Sequence, residues 1–272
     1  MQAFCGGTLG VSVGRDWSCG ACTIAQARTG RILDASAECT DSVHLYRTTW
    51  TRPPSRTFMD SSQSRTGTPL PPPPAACRKP LLFIVYYSVW GHIKVLADAV
   101  KKGIEDSGVA NVEVYQVSET LPQETLDKMY AMKFDDPVLD PHDLAKADGF
   151  IFGVPTRFGS PATQIKTFWD ATGSLWQRGA LIGKHGAAFT SSSTQHGGQE
   201  TTIMTFLTHF VHHGVIYVPL GYSSKILHDQ TEVIGGSPWG AGTITGNDGS
   251  KMPSQKELEL AVHQVIDSGS PW

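Results

Sequence analysis

Three polar, glycine-bearing stretches of this sequence each follow an apolar run, and the first has the character of an anion site. It comes directly after the apolar residues 81–87 and reads Ser88-Val89-Trp90-Gly91-His92-Ile93. A tight turn that enters a helix presents unpaired N–H groups and the positive end of the helix dipole, which favour a phosphate. The stretch has neither the Gly-Lys-Ser/Thr of a nucleoside-triphosphate loop nor a GxGxxG dinucleotide turn. We interpret it as a phosphate cradle, although Ser88 can equally be a plain N-cap.

The second and third stretches carry groups that suit a planar ligand. The second follows residues 149–154 and combines a hydroxyl, a guanidinium, an aromatic ring and a flexible glycine: Pro155-Thr156-Arg157-Phe158-Gly159. The third follows residues 187–190, and its polar and glycine positions are Ser191, Ser192, Ser193, Thr194, Gly197 and Gly198. Either stretch alone can be an ordinary connection. Three of them on successive strands of one sheet edge indicate a ligand site.

Two other groups of residues have spacing that resembles a metal or redox site. Cys19 and Cys22 form a CxxC, but no second pair and no strand–helix context accompanies them. His209, His212 and His213 lie close in sequence, but HExxH is absent and no carboxylate is placed to complete a site. We therefore predict no metal.

Strands that would position the three stretches are predicted from apolar, β-rich runs. Residues 81–87 are continuously apolar, as expected of a strand buried on both faces of a parallel sheet. Four further runs occupy residues 112–117, 149–154, 187–190 and 215–218. Helical spacing follows residue 93 and recurs near residues 163–172, 199–212 and 254–266. This alternation predicts an α/β fold with a doubly wound, five-stranded parallel sheet, which binds ligands beyond the carboxyl ends of its strands.

The first 78 residues differ in composition from the rest of the 272-residue chain. They contain all five cysteines, and eight arginines without a lysine against five acids give +3, which leaves −6 for the remainder of a chain of net charge −3. They show no sustained apolar period and end in a proline run. We predict a disordered extension over residues 1–78 and a folded domain over residues 79–272. An over-extended translation start and a transit peptide are alternative origins of the extension.

Charge and hydropathy of the whole chain argue against nucleic acid as a partner and against a membrane span. A net charge of −3 and a pI of about 6.3 give no global positive field for nucleic acid. Mean hydropathy is −0.17 and no long apolar run occurs, so no membrane span is predicted. We expect a soluble, cytoplasmic protein.

Residues 81–268 resemble the WrbA family, the type IV NAD(P)H:quinone oxidoreductases that include fungal 1,4-benzoquinone reductases. The resemblance rests on the first two stretches and on a series of further strings: Leu175-Trp176, Gly197-Gly198-Gln199-Glu200, His212-His213-Gly214, Gly221-Tyr222, Gly235-Gly236, Gly240-Ala241, Asp248-Gly249-Ser250 and Pro253-Ser254. It implies a flavodoxin-like fold, FMN as cofactor, NADH or NADPH as co-substrate and a homotetramer. The implied reaction is the two-electron reduction of quinones, with ping-pong hydride transfer through the flavin N5.

The same resemblance assigns roles to individual residues. Residues 88–93 match the loop that holds the FMN phosphate, residues 155–159 match the loop that contacts the isoalloxazine, and residues 191–198 match the loop on its other side. His212 matches a histidine that contacts FMN, and Trp176 matches a tryptophan that borders the quinone and nicotinamide pocket. We expect His212 to hydrogen-bond the quinone or the flavin as charge develops.

Two positions depart from the family pattern, and several assignments have alternative interpretations. Trp90 stands where the family usually has tyrosine, a position associated with nicotinamide contact, and Ser160 stands where asparagine is common. Trp176 can also be a core residue. The glycine-rich residues 235–249 are expected to form an ordered loop near the active site or a subunit interface. A flavodoxin-type one-electron carrier and a non-catalytic FMN-binding scaffold are the alternative functions, and Trp176 and His212 favour the reductase.

Overall fold

A computed structural model of the chain describes residues 78–266, and the predicted extension lies almost wholly outside this range. Seven strands occur in the described residues: β1 (Leu81–Tyr86), β2 (Asn111–Gln116), β3 (Gly149–Arg157), β4 (Ser160–Pro161), β5 (His185–Ser192), β6 (Ile216–Tyr217) and β7 (Gly242–Ile244). Six α-helices accompany them: α1 (His92–Ser107), α2 (Gln123–Lys128), α3 (Thr163–Asp170), α4 (Gly173–Gln177), α5 (Gln199–His213) and α6 (Gln255–Ile266). Short 3₁₀ helices occupy Pro141–Lys146 and Lys225–His228.

The strand order is that of a flavodoxin-like sheet. Parallel strands follow the order β2-β1-β3-β5, and β6 and β7 both pair with β5 in parallel. The fifth position of the sheet is therefore shared: β6 pairs with the start of β5 and β7 with its end. Counting β6 and β7 as one position gives the 2-1-3-4-5 arrangement, whose order reverses between β1 and β3. The predicted five-stranded, doubly wound fold is confirmed, with its fifth strand split.

Alternation along the central strands explains why their sequence is apolar throughout. In β1, Phe83 and Val85 belong to a core on one face of the sheet, whereas Leu82 and Ile84 belong to a second core on the other face. Successive side chains of a strand point to opposite faces, so a strand covered on both sides needs apolar residues at every position. The first core lies against α3 and α5, and the second lies against α1 and α6.

An antiparallel hairpin that was not predicted shapes the edge of the sheet. It consists of the extension of β3 to Arg157 and of the two-residue β4, onto which β3 folds back. The hairpin loop is Phe158-Gly159, and both residues have positive φ, as a type I′ turn requires.

None of the helices in residues 78–266 is both long enough and apolar enough to cross a membrane.

Candidate functional site

A cleft of about 580 Å³ opens at the carboxyl ends of β1, β3 and β5. All three stretches contribute to it, through Ser88, Val89, Trp90, His92, Ile93, Pro155, Thr156, Arg157, Phe158, Ser191, Ser192, Ser193 and Gly197. Gly91, Gly159, Thr194 and Gly198 belong to the same loops without lining the cleft themselves. The volume falls within the range of small-molecule and cofactor sites. The structure therefore brings the three predicted stretches together around one cavity.

The first stretch ends in a helix whose first amides are free of a side-chain cap. Gly91 is the N-cap of α1, no side chain caps the helix, and its first turn contains no acid. The hydroxyl of Ser88 accepts a hydrogen bond of 3.1 Å from the Gly91 N–H, so Ser88 shapes the turn and is not itself the N-cap. Unpaired N–H groups at a helix start attract an anion. This geometry fits a phosphate group at the start of α1.

The second stretch forms the tip of the β3–β4 hairpin. Phe158 is fully exposed and has φ +56°, a left-handed conformation that bulky residues rarely adopt. The Thr156 hydroxyl accepts a hydrogen bond from the Gly159 N–H at 3.1 Å, and it lies 2.7 Å from the Thr202 hydroxyl, which donates its proton to the Gly198 carbonyl. Arg157 donates to the Thr156 carbonyl at 2.8 Å. Because a guanidinium has five N–H donors, most of them remain for a ligand in the cleft.

The third stretch begins inside the sheet and packs onto the hairpin. Ser191 and Ser192 are buried at the end of β5, and the Ser192 hydroxyl donates to the Thr194 carbonyl at 2.8 Å. A Cβ atom on Gly198 would lie only 2.8 Å from the Gly159 Cα, so the third loop touches the second directly. The two loops therefore form adjoining walls of the cleft.

A fourth wall is formed by residues 245–249, which belong to the segment 235–249 expected near the active site or a subunit interface but were not assigned as site residues. The Thr245 N–H donates to the Ser192 carbonyl at 2.8 Å, which joins this wall to the end of β5. His92 Nε2 lies 3.0 Å from the Gly249 carbonyl, which joins it to the start of α1. Because a carbonyl oxygen only accepts, Nε2 carries the proton of this hydrogen bond. Burial lowers the pKa of His92 and so favours the neutral ring. The closely spaced Gly246, Asp248 and Gly249 were the signal in the sequence that pointed to an ordered turn here.

Comparison with known proteins identifies the family. Residues 87–226 match the family described as NADPH-dependent FMN reductase. The protein belongs to this family. The matched range contains the first three walls of the cleft, together with Trp176 and His212.

Relatives of this FMN reductase family member include named quinone oxidoreductases. The chain is 53% identical over 190 residues to minor allergen Alt a 7 of Alternaria alternata, covering 68% of this chain and 93% of the allergen. It is 51% identical to quinone-oxidoreductase QR2 of Triphysaria versicolor, covering 67% of this chain and 90% of that protein. It is 46% identical to NAD(P)H dehydrogenase (quinone) of Chromohalobacter salexigens, covering 67% of this chain and 92% of that protein. The resemblance to quinone oxidoreductases inferred from the sequence is confirmed.

Trp176 and His212 lie in a second depression of the FMN reductase domain, of about 370 Å³. Its lining comes from α3, α4 and α5, and it shares no lining residue with the cleft. Trp176 is 60% exposed, which does not fit a core residue. Within a single chain, neither Trp176 nor His212 lines the cleft formed by the four walls.

Two histidines of this depression, His209 and His213, pack against the Trp169 ring. The His209 ring stacks on Trp169 at a centroid distance of 5.5 Å, and His213 Nε2 lies 3.0 Å from the Thr172 hydroxyl oxygen. That hydroxyl donates its proton to the Trp169 carbonyl at 2.7 Å, so Nε2 carries the ring proton of His213. No group of three histidine, cysteine, aspartate or glutamate side chains in residues 78–266 is arranged to hold a metal ion.

These buried histidines make the stability of the domain depend on pH. Burial lowers the pKa of His92, His209 and His213 from the ordinary value of 6.5. The unfolded chain therefore binds more protons than the folded chain as the pH falls below 6.5, and stability is lost in that window. We expect a lower free energy of unfolding at about pH 5.5 than at about pH 7.5, by up to about 1.4 kcal/mol per histidine and pH unit.

Urea unfolding at the two pH values measures this effect. Glu119, Asp148 and Asp248 have pKa values lowered from 4.5 or 3.8, so their titration lies below the histidine window. His213→Gln should reduce the dependence on pH. An unfolding free energy that stays constant across the interval would show that these histidines are not held neutral.

Proposed function

We propose that this protein reduces quinones to hydroquinones with NADH or NADPH, using FMN bound in the cleft. One observation carries the proposal: the cleft has an uncapped helix start, Gly91–His92, in a chain about half identical to quinone oxidoreductases over nine-tenths of their length. The uncapped amides fit a phosphate, and the remaining walls offer the polar and aromatic groups that a planar ring requires.

The residues present fit FMN at each part of the molecule. Residues 88–93 would hold its phosphate, residues 155–159 would contact the ring, and residues 191–198 would close the other side. When bound, FMN supplies the hydride chemistry that no side chain of the cleft can perform. Each turnover passes two electrons and a proton from NADH or NADPH as a hydride, and one further proton from water completes the hydroquinone.

The side chains of this chain orient the reactants and balance charge. Arg157 places a cation in a cleft that receives an anionic phosphate and an electron-rich ring. Phe158, fully exposed on a strained turn, offers a flat apolar face at the rim. A strained conformation that exposes an aromatic ring costs stability, which favours a functional role for that ring.

Trp176 and His212 can contact FMN and quinone only in the cleft of a second copy of the chain. Both belong to the second depression, so their inferred contacts with FMN and quinone require a neighbouring copy that places this surface over the cleft. The homotetramer implied by the family resemblance supplies such a neighbour. The cytoplasmic location stays a prediction from the sequence.

Steady-state kinetics of the FMN-loaded protein test the proposal. Because nicotinamide and quinone use the same space in turn, we expect parallel double-reciprocal plots when NADH and benzoquinone are varied, as in a ping-pong reaction. The absorbance of NADH reports the rate. A one-electron carrier and a non-catalytic scaffold would both give no NADH-dependent turnover of benzoquinone. Intersecting plots would contradict the shared pocket.

A further inference from the structure

A buried carboxylate lies behind the fourth wall of the cleft. Glu257, in the first turn of α6, is completely buried. Its oxygens accept three backbone N–H hydrogen bonds and one from a hydroxyl: Oε1 from Gly235 at 2.7 Å and Ile244 at 3.0 Å, and Oε2 from Ser254 at 2.7 Å and the Thr243 hydroxyl at 2.9 Å. Burying a carboxylate is costly unless its oxygens are hydrogen-bonded, so these four groups are fixed relative to α6.

Helix capping accounts for only one of the four hydrogen bonds that Glu257 accepts. Ser254 and Glu257 form a capping box: the Ser254 N–H donates to Oε2, and the Glu257 N–H donates to the Ser254 hydroxyl at 3.3 Å. The bonds from Ile244 and from the Thr243 hydroxyl come from β7, and the bond from Gly235 comes from the loop before it. A capped α6 does not require these three bonds.

The segment held by Oε1 leads directly into the cleft. Ile244 ends β7, and the next five residues, 245–249, are the fourth wall. The Lys251 N–H donates to the Thr245 carbonyl at 3.0 Å, which closes the turn behind that wall. The bond from the Ile244 N–H to Glu257 therefore fixes the point at which the wall leaves the sheet.

We propose that Glu257 is a positioning residue for the cofactor cleft. It holds β7 in place and thereby keeps residues 245–249 in the shape that closes around FMN, an inference that rests on the proposed function. Glu257 does not line the cleft, so its effect passes through Ile244 and the wall that follows.

Three alanine variants on the same part of the chain separate positioning from capping. Glu257→Ala removes both functions, Ser254→Ala removes the serine half of the capping box, and Glu259→Ala removes an exposed carboxylate from the same helix. We expect Glu257→Ala to raise the Kd for FMN about tenfold or more, because three charge-assisted bonds behind the wall are lost. The other two variants should stay within about twofold of wild type. With FMN in excess, Glu257→Ala should keep a kcat close to that of the wild type.

Hydrogen exchange of the FMN-free protein gives a readout that does not depend on activity. In the wild type, the amides of Gly235 and Ile244 should be protected like those inside β5, and in Glu257→Ala they should exchange much faster. Unchanged FMN affinity in Glu257→Ala, or an equal rise of the Kd in Ser254→Ala, overturns the proposal. If Glu257→Ala does not fold, wild-type amides of Gly235 and Ile244 that exchange as fast as those of residues 246–249 overturn it. Absence of FMN binding by the wild type overturns the proposed function, while the exchange data still decide whether Glu257 holds β7.

Discussion

Replacing Gly91 with valine should lower the affinity for FMN by roughly a hundredfold while the FMN-free protein stays folded. Gly91 has φ +90°, a conformation that a β-branched residue does not adopt without strain. Relief of that strain turns the N–H groups at the start of α1 away from the phosphate. Two lost charge-assisted hydrogen bonds of about 1.5 kcal/mol each amount to roughly a hundredfold in the Kd.

Gly108 provides a matched control at the other end of the same helix. It is the C-cap of α1 with φ +65°, and the nearest atom to a Cβ placed on it is Lys79 Nζ at 3.9 Å. Gly108→Val should lose similar stability, since its strain is of the same kind, but it should keep FMN affinity because it lies far from the cleft. Quenching of FMN fluorescence measures the Kd, and circular dichroism measures folding. Wild-type affinity in Gly91→Val would place the phosphate elsewhere.

The order of the main strands and helices follows from the sequence because apolar periodicity records which faces are buried. Residues 81–87 carried this signal most clearly, and β1 is buried on both faces as predicted. The loops after β1, β3 and β5 were expected to meet, since the carboxyl ends of parallel strands share one edge. The structure places them around one cleft.

The short strand β7 was not predicted, because it is stabilised by contacts with residues distant in sequence and not by an apolar pattern of its own. β7 is only three residues long and lies in a glycine-rich segment without apolar alternation. It is held from outside that segment: Gln264 accepts a hydrogen bond from the Ala241 N–H at 2.9 Å and donates to the Ala188 carbonyl at 3.0 Å. The hydrogen bonds from Glu257 to β7 had no signal in the sequence either.

His212 is separated from the cleft by the length of α5. α5 begins beside the cleft at Gln199 and ends at His213. At 1.5 Å per residue, His212 lies about 20 Å along the helix from its start, toward the opposite edge of the sheet. A role for His212 at FMN therefore needs a second chain. The same conclusion applies to Trp176, which lies in the same depression.

Replacing Trp176 with alanine should lower kcat/KM for both NADH and benzoquinone by at least several-fold, while FMN binding and stability persist. Aromatic pairs contribute about 0.5–1.5 kcal/mol beyond their buried area, and both ligands would lose this stacking surface. Because Trp176 is 60% exposed, its removal should change stability far less than the roughly 3–5 kcal/mol typical of a buried tryptophan. Tyr222→Ala is the control, since Tyr222 is 64% exposed and lines neither the cleft nor the second depression. Wild-type kinetics toward both substrates would remove Trp176 from the site.

Mixed oligomers decide whether Trp176 acts on the cleft of its own chain or on that of a neighbour. Gly91→Val chains keep Trp176 but bind FMN poorly, whereas Trp176→Ala chains bind FMN but lack the indole ring. Because the depression that holds Trp176 shares no residue with the cleft of the same chain, the two variants should complement each other. Refolding them together should give more activity per bound FMN than Trp176→Ala alone, and separately refolded chains mixed afterwards serve as the control. Activity that stays at the level of Trp176→Ala in the mixed oligomers would show that Trp176 does not act from one chain on the cleft of another.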